Sequence, residues 1–182
     1  MGIADSHPEQ WMPVDYISGN RLIIEPSHGA IHAGTHFTIT YNKIIGAGSV
    51  VSVMMTTPAT AAGKYIHFVA GVECDKAATW TFSQCSASGG SALTSYNNNL
   101  NSTSTAGTTV VANPTITTYG TVYETHIIGS SGTPASATGG GVEQRNEWLL
   151  APATQYLVNV TTVSASSNTV INIPYYYRSR TA

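Results

Sequence analysis

The chain has 182 residues, a formal net charge of −2 and only 9% Asp, Glu, Lys and Arg, about a third of the roughly 25% usual in a soluble domain. That length supports one large domain with its own core. The seven basic residues are scattered except for Arg178 and Arg180, which excludes the basic field that holds nucleic acid or anionic lipid, and no apolar run approaches the roughly 20 residues of a membrane span.

Residues 1–19 read as an irregular N-terminal arm. Pro8, Pro13 and Gly19 oppose regular structure, while Trp11, Met12, Val14, Tyr16 and Ile17 are apolar. An arm of that kind docks on its own domain or on a partner. Its first ten residues lack the basic and apolar regions of a secretory leader.

Residues 20–182 read as a single domain of strand after strand. The β-prone runs are Arg21–Glu25, His36–Tyr41, Ser49–Met55, Tyr65–Val72 and Thr79–Ser83. They continue at Thr108–Val111 and Thr115–Thr117 around Pro114, then at Thr121–Ile128 after a Tyr119-Gly120 turn. Gln155–Thr161 and Thr169–Ile173 close the domain. Each run alternates with period two or forms a short apolar stretch between turn residues. Helix signals are nearly absent; Glu143–Leu150 has room for one turn before Pro152. The expectation is an all-β fold, an antiparallel β-sandwich of jelly-roll type. The Asn/Ser/Thr-rich segment 91–106 and the Gly/Ser/Ala-rich segment 129–141 read as loops long enough to be functional or disordered.

Cys74 and Cys85 flank Asp75-Lys76-Ala77-Ala78, which reads as a hairpin turn. Such a hairpin sets Cys74 opposite a residue near Thr79, so two free thiols are expected rather than a disulfide, as in a reducing compartment.

Candidate chemistry is sparse. His28, His32 and His36 are spaced four and four, which on a helix would stack three imidazoles as a zinc site needs. Pro26, Gly29 and Gly34 make the segment a poor helix. On an extended strand neighbouring members stand about 13 Å apart, too far to share a metal. The segment therefore reads as a turn whose histidines bond backbone groups. No Gly-x-Ser-x-Gly elbow occurs, Cys85 has no histidine placed beside it by spacing, and Gly139-Gly140-Gly141 lacks the Lys-Ser/Thr of a phosphate loop. Glu143 and Glu147 would share a face only on a helix. No enzyme, cofactor or metal is expected. The rings of Trp11, Trp80, Trp148 and Tyr175-Tyr176-Tyr177 suit a sugar platform or, more commonly, core and interface anchoring. Alternation sets Tyr175 and Tyr177 on one face and Tyr176 on the other.

Three stretches carry a resemblance. Arg21–Glu25 with Ile31–Phe37, the central Tyr96-Asn97-Asn98-Asn99-Leu100-Asn101-Ser102, and above all Asn146-Glu147-Trp148-Leu149-Leu150 with Ala153–Thr161 and Tyr175-Tyr176-Tyr177 together resemble small structural proteins of tailed bacteriophages, in the same order over residues 20–177. The resemblance implies a β-sandwich virion component without catalytic residues, seated on the capsid, often as a trimer at local three-fold positions. The expected function is that of a capsid decoration (cement) protein on the outside of the head, assembled in the host cytoplasm, with the major capsid protein and its own copies as partners. Trp11, Met12, Val14 and Tyr16 of the arm, with Tyr175 and Tyr177, are the expected capsid or subunit contacts. Ala151 and Ala153 depart from the pattern, where Lys and polar residues are usual. The alternative is a tail- or fibre-associated module that binds host-surface glycan.

Overall fold

The computed structural model of the chain describes residues 26–59, 64–129, 146–163 and 166–179. Its elements in chain order are α1 (Pro26–His32), β1 (His36–Ile45), β2 (Val50–Thr56), β3 (Lys64–Phe68), β4 (Gly71–Cys74), β5 (Ala78–Ser88), β6 (Ser91–Ala92), β7 (Tyr96–Asn97), β8 (Thr109–Ala112), β9 (Thr115–Ile128), β10 (Trp148–Leu150), β11 (Gln155–Thr162) and β12 (Ser167–Ser179). They form two antiparallel sheets packed face to face, the all-β sandwich that the period-two runs predict. One sheet runs β10-β3-β12-β1-β7, with β4 also on β12; the other runs β6-β8-β2-β11-β5-β9.

Alternation builds the core. Phe37 and Ile39 of β1, Ile66 and Phe68 of β3, and Ile171, Ile173 and Tyr175 of β12 face inward from the first sheet. Val51, Val53 and Met55 of β2, Trp80 and Phe82 of β5, and Val158 and Val160 of β11 face them from the second. The Phe68 and Phe82 rings stack across the layer at 4.7 Å. Each such side chain contributes about 1.5–3 kcal/mol by leaving water.

The second sheet is also covered on its outer side. Met54 and Leu157 alternate with core residues, yet both are buried. The last pair of β5 with β11 is at Gln84. Beyond it β5 continues with β9 as a two-stranded ribbon to Ser88. That ribbon turns back over the sheet. The Gln155 side-chain amide accepts from Ala87 N through Oε1 and donates to the Ala87 carbonyl through Nε2, and Gly90 meets the Ala112 carbonyl and the Val111 side chain so closely that a Cβ would stand 2.8 Å from the Ala112 oxygen.

Several local expectations are corrected. Residues 26–32 form a helix, α1, rather than a turn. Proline is tolerated in a first turn, where its missing N–H has no partner to lose. Gly34, at φ +67°, ends the helix: Thr35 N donates to the Ala30 carbonyl and Gly34 N to the Ile31 carbonyl, the glycine cap that left-handed backbone allows. Asp75–Ala78 is an arch between sheets rather than a hairpin, since β4 pairs with β12 and β5 with β11. Asp75 turns the chain by accepting from the Ser167 hydroxyl and the Asn168 N–H. Those bonds, the Ser167 hydroxyl first, hold its carboxyl below the usual range.

Residues 115–128 are one continuous strand with no turn at Tyr119-Gly120. Gly120 serves a close approach there, because a Cβ would stand 2.9 Å from the Gln84 Cβ. The predicted strand Tyr65–Val72 is split into β3 and β4. The break at Val69-Ala70 lies beside Pro174 of β12, between the pairs Tyr175–Phe68 and Asn172–Gly71. Proline has no N–H to give the ladder, so the neighbouring strand is interrupted there. In the segment expected to make one helical turn, residues 148–150 form β10 instead, with Trp148 opposite Phe68 of β3. The arm 1–19, the run Arg21–Glu25 and all of segment 129–141 except Gly129 lie outside the described residues.

Candidate functional site

The histidine triplet divides between two elements. His28 and His32 are one turn apart on α1, with ring nitrogens 3.0 Å apart. His36 begins β1 and stacks on Tyr176 at 5.8 Å. No group of three or more His, Cys, Asp or Glu that could hold a metal occurs among the described residues.

His36 instead belongs to a row of rings on the outer face of the first sheet. Cross-strand pairing sets His36 and His67 on either side of Tyr176, and His67 stacks on Tyr176 at 4.5 Å. Glu147 closes the row: its Oε1 accepts from the Tyr176 hydroxyl at 2.5 Å and lies 2.6 Å from His67 Nδ1. His36 is buried and its Nδ1 has no hydrogen-bond partner. Burial lowers its pKa below the ordinary 6.5, against a smaller raising effect of the Asn98 hydrogen bond. Between that lowered value and 6.5 the unfolded chain holds more of this proton than the folded one, so stability falls as pH drops through the window. Thermal unfolding midpoints should therefore decline on acidification from about pH 6.5, and His36→Phe should flatten this part of the profile relative to wild type.

Glu124 joins the two sheets at their shared edge. Its Oε1 accepts from Asn146 Nδ2 at 2.9 Å and contacts His126 Nε2 at 2.5 Å, while Oε2 accepts from Trp148 Nε1 at 3.2 Å. Trp80 stacks on His126 at 4.8 Å and belongs to the core. Trp148 packs against the same core from β10. Trp80 is thus buried, and Trp148 is partly buried against Phe82 and Tyr123.

Tyr175 and Tyr177 do share a face, but it is the inner one. Tyr175 is 0% exposed, its hydroxyl accepts from Thr108 Oγ1 at 2.8 Å, and burial pushes its pKa up to about 12. Tyr177 accepts from the Gly107 and Thr108 N–H groups. Tyr175 is thus a core residue rather than a contact, and Tyr177 a lock on the start of β8. Trp11, Met12, Val14 and Tyr16 lie outside the described residues.

Neither cysteine is poised as a nucleophile. Cys74 on β4 and Cys85 on β5 are free thiols in opposite sheets, and burial pushes the pKa of each up, which keeps them protonated at neutral pH. Cys85 lines a shallow hollow of about 590 Å³ with Thr56, Thr57, Gln84 and Gln155; among the described residues no carboxylate or imidazole lines it.

What the molecule does present is an uncharged surface. No Asp, Glu, Lys, Arg or His falls between Lys76 and Glu124, the stretch that builds β5 to β8 and most of β9. Tyr96, Leu100, Tyr119, Val122 and Tyr123 are all exposed within it. Among the described residues β9 pairs only with β5, and its 14 residues include no Lys, Arg or Pro, the residues that commonly guard a free edge.

Within this stretch the Asn-rich segment is a built loop. Asn97 Oδ1 accepts from Asn99 N, and Asn99 Oδ1 accepts from Asn101 N, two successive side-chain turns of the kind asparagine favours. Asn97 Nδ2 donates to the Gly34 and Ser104 carbonyls, and Asn99 Nδ2 donates to the His32 carbonyl. Asn98 N donates to the His36 carbonyl, and Thr38 Oγ1 to Asn98 Oδ1. The loop thus caps the end of α1 and holds Leu100 at its tip, 93% exposed. The Asn spacing at 97, 99 and 101 is the sequence signal for these turns; nothing local reveals that the capped helix lies more than 60 residues earlier.

No family model, curated protein or solved structure matches the chain.

Proposed function

We propose that this protein is a virion structural protein, a capsid decoration protein of a tailed bacteriophage that binds the outside of the head and stabilises it. The observation that carries the reading is the uncharged stretch from Lys76 to Glu124 with its exposed apolar side chains. Extensive, long-lived protein interfaces are depleted in charge, and a protein that binds only the assembled shell opposes its disassembly by mass action. The choice of particle rests on the resemblance read from the sequence over residues 20–177. The strand order supports the jelly-roll form of the sandwich. β1-β12-β3-β10 in one sheet and β2-β11-β5-β9 in the other is the interleaving that two Greek keys produce. The major capsid protein and further copies of this chain, as a homotrimer, are the proposed partners, with the arm 1–19 as the proposed grip. The glycan-binding reading draws no support from Trp80 and Trp148, which pack in or against the core.

The test is sedimentation of the purified protein with undecorated heads assembled from the major capsid protein of the encoding virus, followed by cryo-electron microscopy. Saturable binding with density at three-fold or quasi-three-fold positions is expected. Deletion of residues 1–17 should abolish binding and leave the circular dichroism spectrum unchanged. Heads that stay bare with the full chain overturn the reading.

A further inference from the structure

We infer that His28 and His32 form a two-nitrogen chelate on the exposed side of α1 for a divalent transition-metal ion of the nickel(II) or copper(II) kind; the inference is independent of the decoration reading above. A spacing of four brings two side chains together only on a helix, and α1 supplies that helix. Both histidines are exposed. Their Nε2 atoms converge to 3.0 Å, with ring centroids 4.7 Å apart and the planes inclined at 70°. Two nitrogens that each lie about 2.1 Å from one ion stand about 3.0 Å apart when the angle at the ion is a right angle, and about 3.4 Å apart when it is tetrahedral. The pair thus already spans one edge of a square-planar or octahedral sphere, the geometry of these two ions. At this separation one Nε2–H donates to the other Nε2, and the ion takes the place of the shared proton. A turn of each ring about χ2, whose wells are broad, aims both lone pairs at it.

The backbone beneath the pair is fixed by the fold. Ala33 N donates to the Gly29 carbonyl across the turn that joins the two histidines. Ala30, between them, is buried, and Asn99 Nδ2 holds the His32 carbonyl. Only ring rotation is left to order when the ion binds, so the entropic cost is small. His36 is no third ligand, because it is buried at the start of β1 and stacked on Tyr176. The donor set decides the class of ion. Among the described residues no further His, Cys, Asp or Glu completes a group of three with this pair, so the remaining positions fall to water. Imidazole suits nickel and copper, whereas calcium and magnesium take oxygen ligands. An ion held by folded α1 and released on unfolding raises the stability of the chain by mass action.

The experiment titrates the full chain with nickel(II) chloride, read by calorimetry and by the thermal midpoint, for wild type, His28→Gln, His32→Gln and Cys85→Ser. Wild type should take up one ion per chain, and its midpoint should rise by about 5–10 °C once the free ion exceeds its dissociation constant a hundredfold. Each histidine variant should bind at least about tenfold more weakly, because the remaining imidazole has no linked second ligand, and should lose the rise. Without metal its midpoint should match wild type, since glutamine favours a helix at least as well as histidine. Cys85→Ser should bind as wild type, and calcium chloride or magnesium chloride should leave the midpoint unmoved. Wild type that binds no nickel overturns the inference. So does binding that survives both histidine substitutions, binding that is lost with Cys85, or an equal response to calcium.

Discussion

Phe82→Ala is expected to destabilise the fold by about 3–5 kcal/mol, the range for deleting a fully buried aromatic ring. Phe82 is 1% exposed and holds the two sheets together. Its ring stacks on Phe68 of the facing sheet at 4.7 Å and on Tyr156 of the neighbouring strand at 5.7 Å. It also packs on Trp148 and Tyr123, so its loss opens a cavity bordered by four other rings, which cannot collapse without tilting one another. A fall in the thermal midpoint on the order of 10 °C should follow for a chain of this length. Phe82→Leu keeps most of the volume and should cost less than half as much. Chemical denaturation of both variants checks the pair; equal small losses would show that the two sheets do not meet through this ring.

Gly34→Ala is expected to uncouple the Asn-rich loop from α1 and to destabilise the fold. Two penalties act together at this position. Its backbone stands at φ +67°, which costs a residue with a Cβ about 1 kcal/mol. The added Cβ would also lie 2.2 Å from Ser102 Oγ and 2.7 Å from Ser102 Cβ, so the loop backbone that carries Ser102 must retreat. Its retreat strains the bonds from Asn97 to the Gly34 carbonyl and from Asn99 to the His32 carbonyl, which hold the Leu100 tip. The double variant Gly34→Ala/Ser102→Gly restores the space but not the backbone preference. It should recover about half of the lost stability. Thermal unfolding of both variants checks the pair; a double variant no more stable than Gly34→Ala would show that Ser102 is not what the added Cβ displaces.

Much of the sandwich is legible from residue order. The alternation in His36–Tyr41 places β1 and marks its inward face, because a strand buried on one side must repeat every two residues, while the apolar runs Ser49–Met55 and Gln155–Thr161 place β2 and β11, which bury residues on both faces. What misled were residues whose local preference was overruled by a neighbour distant in sequence. Gly120 reads as a turn and is a close approach to Gln84. Pro26, Gly29 and Gly34 read as helix breakers, and two of them mark the ends of a short helix whose last carbonyls are satisfied by Asn97 and Asn99. Asp75–Ala78 reads as a hairpin because a four-residue link opened by Asp carries no record of which sheet the next strand will join.

The candidate surface was half legible. The absence of charge from Lys76 to Glu124 is a property of the sequence alone, and so is the ring-rich C-terminal strand. That Tyr175 is core, that His36, Tyr176 and His67 stand in one row, and that Leu100 is held out on a braced loop follow only from the register of β1, β3, β7 and β12. Composition and period are set by each segment's own residues and survive in any arrangement of the strands. Register and loop bracing depend on hydrogen bonds between residues 60 to 140 positions apart, such as Thr38 to Asn98 and His36 opposite Tyr176. Those partners are chosen when the two sheets close on one core.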